Sequence, residues 1–220
     1  MAKRGFRTRL CDMLGIEYPI ILAGMGGKGT ATPPKLVAAV SNAGGLGVMG
    51  GSGLTAEEIQ RRIREIKTLT SKPFGVDLLL PVSLADAKNS RAEVRKQLQN
   101  EYPDYVKFVE RLKREFEIPD METETDFVLT AQSIRDQVQV VLDENVPVFA
   151  AGLGDPSWVV PLAREKSITV MGLVGTVRHA VRQVEAGVDI VVSQGYEAGG
   201  HTGRIANFPL IPQVVDAVDP

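Results

Sequence analysis

The chain has 220 residues, 44% of them hydrophobic, and a formal net charge of −2. That is enough apolar material for one large core, or at most two small ones. The balanced charge and absence of a basic run exclude a nucleic-acid footprint, and no run nears the ~20 apolar residues of a bilayer span. The lone cysteine, Cys11, excludes an internal disulfide framework and reads as an inert, partly buried thiol. The start is basic but has no apolar h-region, so a soluble, cytoplasmic protein is expected.

Short apolar runs alternate with helical patterns. A strand over 19–25 leads into Gly26, Gly27 and Gly29, then a helix from 33 to 42. Pro33 and Pro34 suit that start, where a missing N–H costs little. A second strand, 46–49, precedes Gly50, Gly51 and Gly53. The next helix runs to 69, with Thr55 as N-cap and Glu58 completing a capping box. The third strand is 74–80. Residues 82–127 break the pattern: they are charge-rich, hold two apparent helices punctuated by Pro103 and Pro119, and read as an insertion outside the barrel, a candidate lid. Regularity returns with a helix at 131–144 and a strand at 146–151. A helix at 156–166, a strand at 168–173, a helix at 177–186 and a strand at 190–193 follow. Residues 210–218 open one more helix.

Repeated strand–loop–helix units imply a parallel sheet with right-handed crossovers. A strand apolar on both faces, such as Val146-Pro147-Val148-Phe149-Ala150-Ala151, implies cover on both sides. Six units are visible, which an open doubly wound sheet allows, whereas a closed barrel needs eight. Both architectures place ligands at the carboxyl ends of the strands, where glycines gather here.

The richest of those ends is 194–203, Gln194-Gly195-Tyr196-Glu197-Ala198-Gly199-Gly200-His201-Thr202-Gly203. Glycines let backbone approach a ligand, and histidine moves a proton near neutral pH, so His201 is the candidate base. His179, between Arg178 and Arg182, reads as solvated. Tyr196 and Glu197 either assist His201 or pack the turn. Gly44, Gly45 and Gly47 serve strand–helix packing or ligand contact. Asp155 either lines the site or caps a helix starting at Pro156. Lys28 and Thr30 are candidate phosphate or substrate contacts.

Four motifs at or beside strands occur in order: Tyr18-Pro19-Ile20-Ile21-Leu22-Ala23-Gly24-Met25, Asn42-Ala43-Gly44-Gly45-Leu46-Gly47, Lys72-Pro73-Phe74-Gly75-Val76-Asp77-Leu78, and 194–203. Together they resemble the nitronate monooxygenase family, formerly called 2-nitropropane dioxygenases. These are FMN enzymes on a TIM barrel, related to FMN-containing enoyl-ACP reductases. The resemblance implies a TIM (β/α)8-type barrel, here ending after the sixth unit, with a helical insertion after strand 3. It implies that Ala23, Gly24 and Met25 lie against the flavin, that Asp77 reaches the ring or ribityl chain, and that Gln194, Gly199 and Gly200 contact FMN. His201 would act as base or orient the substrate. The implied reaction is oxidation of alkyl nitronates with O2. Alternatives are NAD(P)H-dependent reduction of an enoyl thioester or quinone, or a non-catalytic remnant that binds ligand or a partner through an open edge. No metal site is implied, and homo-oligomer formation stays open.

Three departures from the family pattern stand out. Many relatives have Asn at the position of Asp77, and ionised Asp offers no donor. Many have Pro where Gly24 stands. The family holds the FMN phosphate with loops after strands seven and eight, which lie beyond Pro220. The expectation is a fragment, a truncated product, or a protomer completed by a partner.

Overall fold

The computed structural model describes residues 6–26, 31–81, 91–119, 129–201 and 203–218. Six strands, β1 (Ile21–Leu22), β2 (Leu46–Gly50), β3 (Phe74–Leu80), β4 (Val148–Gly154), β5 (Thr169–Val174) and β6 (Ile190–Ser193), form one parallel sheet in chain order. A doubly wound sheet reverses strand order at a switch point. This one never does, and it curls as part of a TIM-like barrel. That decides between the two architectures the sequence leaves open.

The curl is packed on both faces. On the convex face Phe74, Val76 and Leu78 of β3 meet Ile59, Ile63 and Ile66 of α3 (Ala56–Leu69) and Val138 and Val141 of α6 (Ala131–Asp143). The three isoleucines recur at helical spacing and are fully buried, each contributing roughly 1.5–3 kcal/mol. On the concave face Leu46, Val48, Val148, Ala150 and Met171 form a second cluster. Cys11 and Leu14 of α1 (Arg9–Leu14) seal it at the amino-terminal end of the strands, so Cys11 is wholly buried. No periodicity in the sequence announces this six-residue helix.

α2 (Pro34–Asn42) backs β2, and α7 (Val160–Glu165), α8 (Val177–Glu185) and α9 (Asn207–Val218) follow strands four to six. Between β3 and α6 lie α4 (Arg91–Glu101) and α5 (Pro103–Glu115), and α5 buries no side chain. The expected insertion limits, 82 and 127, fall outside the described residues, as do Lys28 and Thr30. Among the described residues no helix is long and apolar enough to cross a membrane.

Several boundaries move. β1 keeps two residues of the expected seven. β4 starts at Val148 because Val146 N–H closes the end of α6 onto the Val141 carbonyl, leaving it outside the ladder. The seventh helix begins at Val160; Pro156 instead heads a turn in which Asp155 accepts from Ser157 N–H at 2.9 Å. The capping box at Thr55 is half made. Thr55 accepts from Glu58 N–H at 3.2 Å, but the Glu58 carboxylate turns to Arg61 and Arg62, both at 2.7 Å. The hydrogen bond from Arg61 leads in holding its pKa down at about 2. The stabilisation is therefore present above the ordinary glutamate range and is lost as pH falls towards 2. Because Arg61 is solvated, with Arg62 partly covered, Glu58→Gln is expected to cost only about 1 kcal/mol at pH 7. Urea unfolding should show that difference shrinking below pH 4.5.

Candidate active site

Side chains alternate along a strand, so Asp77 faces the concave side, opposite Val76 and Leu78. In register it stands between Gly50 of β2 and Ala150 of β4. A Cβ at Gly24 would lie 2.5 Å from the Asp77 Cβ, and one at Gly152 would lie 2.9 Å from Oδ1. The carboxylate thus occupies a slot whose walls are glycine backbone, and those residues have no room for side chains. Its Oδ1 is buried and has no hydrogen-bond partner. Burial raises the carboxyl pKa to about 7, against a weaker opposite pull from the Gly152 backbone. A buried polar atom left unpaired costs stability, and here it lies midway along β3, level with Gly50 at the carboxyl end of β2.

The loop that follows β1 is held over this slot by Thr32, which is fully buried. Its Oγ1 accepts from Gly50 N–H at 2.9 Å and Met25 N–H at 3.3 Å, and its hydroxyl donates to the Met25 carbonyl at 3.2 Å. One side chain therefore sets Ala23, Gly24 and Met25 against the end of β2. Sequence reasoning missed it, because a threonine before two prolines looks like an ordinary helix lead-in. Thr32→Val keeps the shape and strands the buried Gly50 N–H. The expected cost is roughly 1–3 kcal/mol, with faster amide exchange at Gly50 and Met25.

The loop after β6 is pinned at both ends. Gln194 N–H extends the ladder to the Val174 carbonyl at 2.8 Å, and its side-chain amide donates to the Gly199 carbonyl at 3.0 Å. Asn207 Oδ1 accepts from Gly195 N–H at 2.6 Å. Glu197 accepts from Asn207 N–H at 2.8 and 3.0 Å, so it caps the start of α9 and belongs to the turn. A Cβ at Gly203 would lie 2.6 Å from the Gly175 carbonyl oxygen, which seats this loop directly on the one after β5. Between those anchors Gly199 and Gly200 face open space, and Gly200 has φ +73, which favours glycine. His201 is exposed beside them.

His201 and Gln194 line a cleft of ≈ 660 Å³ floored by Gly152 and Leu173 and flanked by residues 153–157 and by Gly175 and Thr176. His179 and Arg182 on α8 line it too. His179 is exposed, as the sequence implied, but the cleft runs along its side of the helix. Gly152 joins the two halves of the site: it floors the cleft and also abuts Asp77. Ala23, Gly24, Met25, Gly199 and Gly200 lie outside the cleft lining. An imidazole beside an open backbone shelf, on a cleft that Gly152 joins to the Asp77 slot, can accept a flat molecule and act on an acidic C–H.

The nitronate monooxygenase family model matches residues 7–219. The chain belongs to the nitronate monooxygenase family. A Staphylococcus haemolyticus protein named "Probable nitronate monooxygenase" is 34% identical over 225 residues, covering 97% of this chain and 58% of the relative. Among solved structures, FabK from Thermotoga maritima aligns with TM-score 0.70 and 29% identity, over 96% of this chain and 51% of that one. Nitroalkane oxidase from Streptomyces ansochromogenes gives TM-score 0.70 and 29% identity, over 96% and 58%. The chain thus spans a little over half the length of the proteins it matches. Within the nitronate monooxygenase family frame, Gly44, Gly45 and Gly47 resolve as packing residues: Gly45 abuts the Ile20 carbonyl and Gly47 the Val37 carbonyl of α2.

Proposed function

We propose that this chain carries the flavin-facing surface and the base of an FMN-dependent oxidoreductase that oxidises alkyl nitronates with O2. The observation that carries the reading is His201 on an open, glycine-flanked loop, sharing one cleft with Gln194 while Gly152 links that cleft to the Asp77 slot. The residues present suit the proposed cofactor in three ways. Asp77 Oδ1 is an orphaned polar atom in a place a ring or ribityl group could reach. The backbone at Gly24 and Gly152 leaves no side chain in the way, and Gly199 and Gly200 leave space open on the His201 side. Bound FMN would supply the two-electron chemistry.

The protein's part is positioning and proton control. His201 would take the α-proton of a neutral nitroalkane, giving the nitronate, or in its charged form hold a nitronate that arrives as the anion. Gln194, fixed to the Gly199 carbonyl, would keep the shelf in place. Asp77 and the Ala23–Gly24–Met25 loop would hold the cofactor from the β1–β3 side.

A second reading keeps FMN and changes the reaction to NAD(P)H-dependent reduction of an enoyl thioester or quinone. The equal likeness to FabK and to nitroalkane oxidase favours neither. O2 uptake with a small alkyl nitronate, set against NAD(P)H consumption with an enoyl thioester and a quinone, separates them. Nitronate-dependent O2 uptake is the expected result. NAD(P)H oxidation without it would favour the reductase, and neither activity in flavin-loaded protein would favour a binding remnant.

A further inference from the structure

The orphaned oxygen of Asp77 has a consequence for the cofactor. We propose that Asp77 acts as a hydrogen-bond donor to the bound flavin in its neutral, protonated form, so that flavin affinity follows the proton on this side chain. The inference rests on the FMN reading above. Its geometric basis is the slot itself. By contact or register, Asp77 is flanked by Gly24 from the loop after β1, Gly50 from β2, and Ala150 and Gly152 from β4. None of these four is titratable or charged; only the Gly152 backbone pulls on the carboxyl, and among the described residues Oδ1 has no hydrogen-bond partner within bonding geometry. A proton on Oδ1 is therefore available to a ligand.

The proposed direction is contact with the flavin's acceptors; contact with its N3–H or ribityl hydroxyls, which donate, would give the opposite one. The carbonyl oxygens, unprotonated ring nitrogens and phosphate of a flavin are acceptors, and its phosphate is anionic. A protonated carboxyl offers one O–H donor, as an Asn amide would; an ionised carboxyl offers acceptors alone and repels the phosphate. Burial without a compensating cation keeps the neutral form populated up to about pH 7. Loss of the competent form above that point weakens apparent affinity in proportion.

Flavin-fluorescence quenching with FMN, and in parallel with riboflavin, tests this between pH 5.5 and 8.5 on the native chain and on Asp77→Asn. Riboflavin removes the phosphate's own ionisation, and the variant retains whatever His201, His179 and Asp155 contribute at the cleft. The native dissociation constant should rise roughly 30-fold across that range, while Asp77→Asn stays nearly flat and binds at least as tightly as the native chain at pH 5.5. Matching profiles in the two proteins would overturn the role of Asp77 and leave the FMN reading intact. Native binding that tightens with rising pH would make Asp77 an acceptor and equally overturn it. If the variant fails to fold, the native riboflavin profile alone decides between falling, flat and rising affinity. No binding of either flavin by either protein at any pH would overturn the FMN reading, and the proposal with it.

Discussion

His201→Ala is expected to lower O2 uptake with a neutral nitroalkane, whose α-proton must be removed, by roughly 10²- to 10⁴-fold, the usual worth of a positioned proton-transfer group. Flavin affinity and the urea midpoint should barely move. The contrast follows from the surroundings of the imidazole. It is exposed, it lines the cleft, and among the described residues no hydrogen bond or ion pair ties it down. Surface truncations without such ties stay within about 0.5 kcal/mol. Steady-state O2 uptake on flavin-loaded native and variant protein checks the first part, and urea unfolding the second. A fall of less than tenfold would remove His201 as the base and return the proton-transfer role to another group on the cleft.

A large stability effect is expected at Gly47. A Cβ there would fall well inside contact distance of the Val37 carbonyl oxygen, and that carbonyl belongs to the backbone of α2, which cannot swing aside like a side chain. The Gly47 N–H also donates to Ser41 Oγ at 3.1 Å, near the end of the same helix. Gly47→Ala must therefore push α2 off β2 or bend the strand, at roughly 3 kcal/mol, the upper part of the overpacking range. Because β2 also carries Gly50, flavin binding should weaken with it. Gly199→Ala is the matched control: nothing lies within 4 Å of its added methyl, so a change within about 0.5 kcal/mol is expected. Urea unfolding of both variants makes the comparison.

Much of this architecture is legible in the sequence. β3 and β6 fall where the apolar runs place them, because both runs end in polar residues or turn residues. Six β/α units in chain order follow from the same periodicity. Boundaries failed where a strand's approach is as apolar as the strand. Val146 and Pro147 look like β4, yet Val146 closes the turn after α6, where Asn145 takes φ 47. Closure direction was not legible either, since local patterns carry no strand order.

The site divides in the same way. His201 and Gln194 are legible from sequence because a glycine-dense turn follows β6, and Asp77 through the motif around β3, where it lies mid-strand. What each glycine does is not. Gly47 and Gly45 face backbone, Gly24 and Gly152 make room for Asp77, and Gly199 faces nothing. Those differences depend on neighbours distant in sequence. Thr32 was hidden for a related reason: its partner, Gly50, is 18 residues away.

One measurement bears most directly on the flavin site: titration of the 220-residue chain with FMN at pH 6, followed by quenching of flavin fluorescence, beside a Gly24→Val variant that drives a side chain against Asp77. Saturable quenching by the native chain, weakened at least tenfold in the variant, is the predicted result. A native chain that leaves FMN fluorescence unchanged, or a variant that binds as tightly as native, would contradict the placement of the flavin beside Asp77.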